Sequence, residues 1–236
     1  MRHAIPDAAT HGAALRLGAY CAIAGGLAIA GFRLGHGDLP AADAPAALRF
    51  ISAHPFYAGV HIGTIVGVLA WAGGIVALSD TLASGLARVL GRLGVASVLV
   101  GAAVFIVDFS IDGVAGQDLA TEWAAATPAD RAGLELAAQT AFTILRGTSL
   151  TSILILWGLP LLLVGWALLL EAYPAWLGSS ALGIGAVTVL AALALLARQD
   201  LFPGVLLYGL LISIAVPLWS IALGITMWRR ATTPRE

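Results

Sequence analysis

The chain contains no lysine; all 12 of its basic residues are arginine. That absence excludes a retinal Schiff base, a phosphate-binding P-loop and a lysine general base. It has one cysteine, Cys21, in 236 residues, which excludes an intrachain disulfide and any multi-cysteine metal site. Cys21 lies in an apolar run and reads as a small core residue. Charge is scarce as well. Charged residues make up 11% of the chain, against about a quarter in a soluble domain. The net charge of −1 gives no indication of a nucleic-acid partner.

What remains is apolar: 60% hydrophobic residues and a mean hydropathy of +0.95. At about twenty residues per span, the chain has room for six or seven membrane helices. The pattern predicts an all-α, polytopic protein: one integral-membrane domain over residues 1–236 with six transmembrane helices, the fourth extended or broken. The charged start and the small residues at Ala28-Ile29-Ala30 partly fit a cleaved signal peptide. The segment reads instead as a retained first span over about residues 14–34. Further spans are expected over about residues 55–79, 87–112, 150–170, 175–197 and 203–228. Pairs such as Gly25-Gly26, Gly73-Gly74 and Gly183 with Gly185 suit close helix packing.

Two segments between the spans carry their own signals. Residues 113–129 read as a polar connection with Asp118, Glu122 and Trp123. Thr127-Pro-Ala-Asp130 then reads as a helix start with a capping-box pattern. From there to Glu171 the chain has no strong breaker until Gly158-Leu-Pro160. A continuous helix of that length would measure roughly 60 Å, twice a bilayer core. Its first part must project, lie along the interface or pack inside the protein.

Six spans put both termini on one side. Arg229, Arg230 and the Arg88/Arg92 loop flank the spans there, which places both termini in the cytoplasm of a bacterial inner membrane. Asp38, Asp43, Asp108, Asp112, Asp118, Glu122, Asp130, Glu135 and Asp200 fall on or near the other face. That face is therefore acidic and cation-attracting.

Asp108 and Asp112 stand one helical turn apart at the end of an apolar run and need a cation, a proton or water. His61 lies about two turns into the second span, with His54 seven residues before it. Glu135, Gln139 and Arg146 share a face on the approach to the fourth span. Counting along alternating spans brings all three groups to a similar depth. Arg146 can neutralise one aspartate but not both. His61, Asp108 and Asp112 are candidate ligands for a divalent metal ion. Asp108, Asp112 and Arg146 are candidate catalytic groups. His54, Glu135, Gln139, Phe105 and Phe109 are candidates for lining a substrate pocket. The plainer alternative is a salt-bridge network around Arg146 that only fixes helix packing. Thr148, Ser149, Thr151 and Ser152 either bond to their own helix or line a polar cavity. The histidines are not paired at similar depth on neighbouring spans, which argues against haem.

The whole-chain pattern resembles an uncharacterised bacterial six-helix membrane family, a domain of unknown function. Ala172-Tyr-Pro-Ala-Trp-Leu-Gly178 is similar to that family's Tyr-Pro-x-Trp-Leu-Gly turn into the fifth span. The resemblance implies six helices, a long first extracytoplasmic loop and a helical approach to the fourth span. It implies no activity, and no functional residue carries over.

The leading expectation is a small membrane-embedded enzyme whose His/Asp/Asp/Arg site acts on a lipid-soluble molecule, with membrane lipid as its surroundings and a divalent metal as candidate cofactor. A proton- or cation-coupled transporter is the alternative, and a non-catalytic accessory subunit is a third. The almost purely apolar inner halves of the spans argue against a relay of charges across the membrane.

Overall fold

The computed structural model describes residues 8–83, 85–198 and 209–232. The expected start of the last span at Pro203, and Asp200, lie outside them. The described chain is all-α, and six of its helical stretches are long and apolar enough to cross a membrane: Gly12–His36, Tyr57–Ser79, Gly85–Ala125, Pro128–Leu169, Ala175–Ala197 and Leu211–Thr232. We name the helices α1 (Ala8–His36), α2 (Ala44–Ser52), α3 (Tyr57–Ser79), α4 (Gly85–Phe109), α5 (Gly116–Ala125), α6 (Pro128–Ser152), α7 (Leu159–Leu169), α8 (Ala175–Ala197) and α9 (Val216–Thr232). Single π-helical turns join α4 to α5 (Ser110–Ala115) and α6 to α7 (Ile153–Gly158), and a third (Leu211–Ala215) precedes α9. Each span packs on the next, and the last returns to the first. The two ends of the described chain are side by side: a Cβ on Gly12 would lie 3.9 Å from the Ala231 carbonyl oxygen.

Small residues make these contacts close. A Cβ on Gly25 would lie 2.5 Å from the Trp71 backbone nitrogen, so only glycine lets α1 approach α3 there. Gly165 and Gly185 do the same where α7 meets α8. Gly183 meets open space and has no such role. Trp71 and Trp157 are buried in the bundle core with ring centroids 5.1 Å apart. Trp166, Trp176 and Trp228 remain exposed, as apolar rings do on a lipid-facing surface.

The chain between spans builds a cap over one end. The expected polar connection after Gly113 is instead helical, because α4 runs through its π turn into α5. Buried residues of α2, α5 and α6 form a second apolar cluster, including Leu48, Ile51, Trp123, Phe142 and Leu145. The excess length before the fourth span thus packs one face against α2 and α5 and leaves the other exposed. Asp43 caps α2, its Oδ1 accepting from the Ala46 N–H at 3.0 Å. At the start of α6 the expected capping box is not closed. The Thr127 hydroxyl donates to the Asp130 carboxylate instead, at 2.6 Å. At the opposite end, the Tyr-Pro link is held by the Tyr173 hydroxyl, 2.7 Å from Thr81 Oγ1, and by the Arg230 guanidinium over the Tyr173 ring at 4.0 Å.

Candidate metal site

Where the bundle meets its cap, three side chains from three spans converge. His36 is the last residue of α1, His61 lies one turn into α3, and Asp112 sits in the π turn after α4. His36 Nε2 is 3.1 Å from His61 Nε2, His61 Nε2 is 3.1 Å from Asp112 Oδ2, and His36 Nε2 is 3.4 Å from the same oxygen. Both histidines are buried, and Asp112 is half-buried.

The protons of the two rings are spoken for. His36 Nδ1 donates to the Gly37 carbonyl at 2.9 Å, and His61 Nδ1 donates to the Tyr57 carbonyl at 2.8 Å. The neutral imidazole carries one N–H, so both Nε2 atoms present lone pairs. Two nitrogen lone pairs and a carboxylate oxygen therefore face one another with no donor between them. Such an arrangement is repulsive unless a metal ion or a further proton fills it. The spacing fits a metal. Ligand bonds of about 2.1 Å separate donors by about 3.0 Å at right angles and about 3.4 Å at the tetrahedral angle. His36, His61 and Asp112 would hold such an ion through one donor atom each.

Local structure holds each donor in place. Gly37 adopts a left-handed φ of 70°, which ends α1 and aims its carbonyl at His36. Gly113 lets the π turn press against α3; a Cβ there would lie 2.4 Å from the His61 Cβ. The Tyr57 hydroxyl donates to Asp112 Oδ1 at 2.9 Å, leaving Oδ2 for the cluster. Ligating imidazoles backed by carbonyls and a carboxylate backed by a phenol are the outer-shell pattern of protein metal sites.

Asp108 belongs to the same neighbourhood but has other partners. It is buried, and it faces α6, where Thr148 donates to Oδ1 and Ser149 lies 3.1 and 3.0 Å from its two oxygens. It is not among the donors grouped within 4.8 Å. Asp108, Asp112 and His36 all line a cavity of about 640 Å³. Arg33, Arg146, Asp38 and Ser149 add polar groups, while Leu39, Phe109, Phe142, Leu150, Ile153 and Leu195 supply apolar wall.

Of the expected site residues, His61, Asp112, Asp108, Arg146 and Phe109 meet at this place. Phe105 lies behind it, stacked on Phe109 with centroids 3.9 Å apart, and belongs to the bundle core. His54, Glu135 and Gln139 do not line the cavity. His54 donates from Nδ1 to the Phe50 carbonyl at 2.6 Å, Glu135 accepts from the Trp123 indole at 2.9 Å, and Gln139 is exposed. The sequence reading missed His36, Tyr57 and Arg33. It also took the histidines to be unpaired in depth, whereas His36 and His61 meet tip to tip on adjacent helices. Their 3.1 Å separation leaves no room for a porphyrin between them.

No protein-family model, no curated protein and no solved structure matches this chain. The functional reading therefore rests on the geometry.

Proposed function

We propose that this protein is a membrane-embedded metalloenzyme that binds one divalent first-row ion at His36, His61 and Asp112 and acts on a lipid-soluble molecule held in the adjoining cavity. The observation that carries the reading is the convergence of three electron-pair donors, 3.1, 3.1 and 3.4 Å apart, with both imidazole protons already engaged elsewhere. Two imidazoles and one carboxylate with open positions suit Zn²⁺, Fe²⁺ and their neighbours. Held by His36, His61 and Asp112, such an ion would supply Lewis-acid chemistry toward an oxygen of the substrate or a water. Asp108, buried beside the site and held by two hydroxyls, is placed to take or give a proton. The site faces the non-cytoplasmic side of a bacterial inner membrane in this reading, following the arginine asymmetry of the loops.

A charge relay for transport has less support. Among the described residues, the buried titratable side chains are His36, His61, Asp108, Tyr57 and Tyr173; the other buried polar ones are serines and threonines. An accessory subunit without a ligand would need a shared proton between the two imidazoles to account for the facing donors.

Elemental analysis of the purified protein beside Asp112→Asn tests the proposal. One equivalent of metal in the wild type, lost in the variant, is the expected result. Wild-type protein that takes up no metal after incubation with Zn²⁺, Fe²⁺, Mn²⁺ or Co²⁺ refutes it, and leaves a proton shared by the two imidazoles as the balancing charge.

A further inference from the structure

The lining of the cavity indicates what the metal site acts on. Among the described residues that line it, three carry carboxylates (Asp38, Asp108 and Asp112) and two carry guanidiniums (Arg33 and Arg146). Counted over these carboxylates and guanidiniums alone, the lining without metal has one negative charge in excess. A divalent ion reverses that balance and leaves one positive charge over. In a partly buried site such a change of sign decides which ligands enter, because an uncompensated charge away from bulk water is costly.

Apart from His36 and Ser149, the rest of the wall is apolar, from Leu39 in the loop after α1 to Leu150 and Ile153 on the fourth span and Leu195 at the end of α8. The 640 Å³ volume is within the range of about 300–1,000 Å³ typical of small-molecule sites. A polar floor holding one excess positive charge and a long apolar wall fit one kind of molecule, with an acidic head and a hydrocarbon body.

We propose that the ligand of this cavity is a monoanionic amphiphile, admitted only when the metal site is filled. This rests on the metal reading above. The acidic head is neutralised by Arg146, Arg33 and the ion together, and the chain lies along the apolar wall. The metal is then both reactive centre and counter-charge, so metal and ligand bind with positive coupling.

Equilibrium binding of hexadecanoate and hexadecanol in a non-ionic detergent, with metal content measured on the same samples, tests this. The Zn²⁺-loaded protein should bind hexadecanoate at least tenfold more tightly than hexadecanol. Chelation should remove that preference. Arg146→Gln should reduce it about tenfold while still holding one metal, and Arg33→Gln gives a second, independent reading. Equal binding of acid and alcohol by metal-loaded protein overturns the inference and leaves the metalloenzyme reading standing. So does a preference that survives chelation. Displacement of hexadecanoate by acetate or inorganic phosphate at equal concentration also overturns it, since the ligand would then be a free anion. Protein that takes up no metal overturns the metalloenzyme reading itself, and this inference with it.

Discussion

Removing one oxygen atom from Tyr57 probes the metal site without touching a ligand. The phenol is buried, 2% exposed, and donates to Asp112 Oδ1 at 2.9 Å. In Tyr57→Phe the ring stays in contact with His61 and His36, whose centroids lie 4.5 and 5.4 Å from its own. Only the hydrogen bond is lost, and burial keeps water from replacing it. A hydrogen bond to a charged group is worth about 1.5–3 kcal/mol. Loss of an outer-shell partner lowers metal affinity by about 10–100-fold, or about 1.4–2.8 kcal/mol. The two estimates agree, so the dissociation constant for Zn²⁺ should rise about 10–100-fold. Competition against a chromophoric chelator measures it, and the variant should still hold one metal at saturation. An affinity within twofold of wild type would refute the claim that the phenol holds Asp112 in its ligating position.

Other substitutions separate the parts of the site. Gly113→Ala places a methyl group 2.4 Å from the His61 Cβ; overpacking of about 1–3 kcal/mol should lower the melting temperature and abolish stoichiometric metal binding together. Gly37→Ala forces a left-handed φ of 70° on a residue whose Cβ meets the Phe50 ring at 2.8 Å. It should cost about 1–2 kcal/mol and weaken metal binding through His36, read by thermal unfolding with and without Zn²⁺. Asp108→Asn should keep one equivalent of metal, because its partners are Thr148 and Ser149; loss of metal would make Asp108 a ligand after all. Zn²⁺ affinity should fall as pH is lowered, since the two imidazoles and the carboxylate bind the ion only when deprotonated. A titration that is flat between pH 8 and 5 would exclude histidine ligation.

The spans were legible because a twenty-residue apolar run has few other uses. Cap and site were less so. The α4–α5 continuation reads as a polar connection because Asp118 and Glu122 follow Gly113, yet in the π turn that glycine lets the backbone press against α3. His61 and Asp112 could be grouped by counting depth along alternating spans. The same counting would have admitted His36 had the first span been carried two residues further, to the residue before the glycine that ends it. Tyr57 gave no such signal, since an aromatic residue at a span end is ordinarily an interface anchor. Glu135 and Gln139 share a helix face with Arg146 in sequence, but that face turns partly into the cap and partly to the exterior. Lateral direction is what spacing along one helix cannot supply.

The order of the ligands along the chain also sets an order in time. All three candidate metal donors lie at or before residue 112, on the first three spans. The hydroxyls that hold Asp108 come at residues 148 and 149, and Leu195 in the cavity wall comes later still. At about 5–20 residues per second of synthesis, the donors are made several seconds before the fourth span arrives. An ion bound in that interval would tie three helices together while the bundle is still half built. The metal site would then be a clasp for insertion before it is a reactive centre.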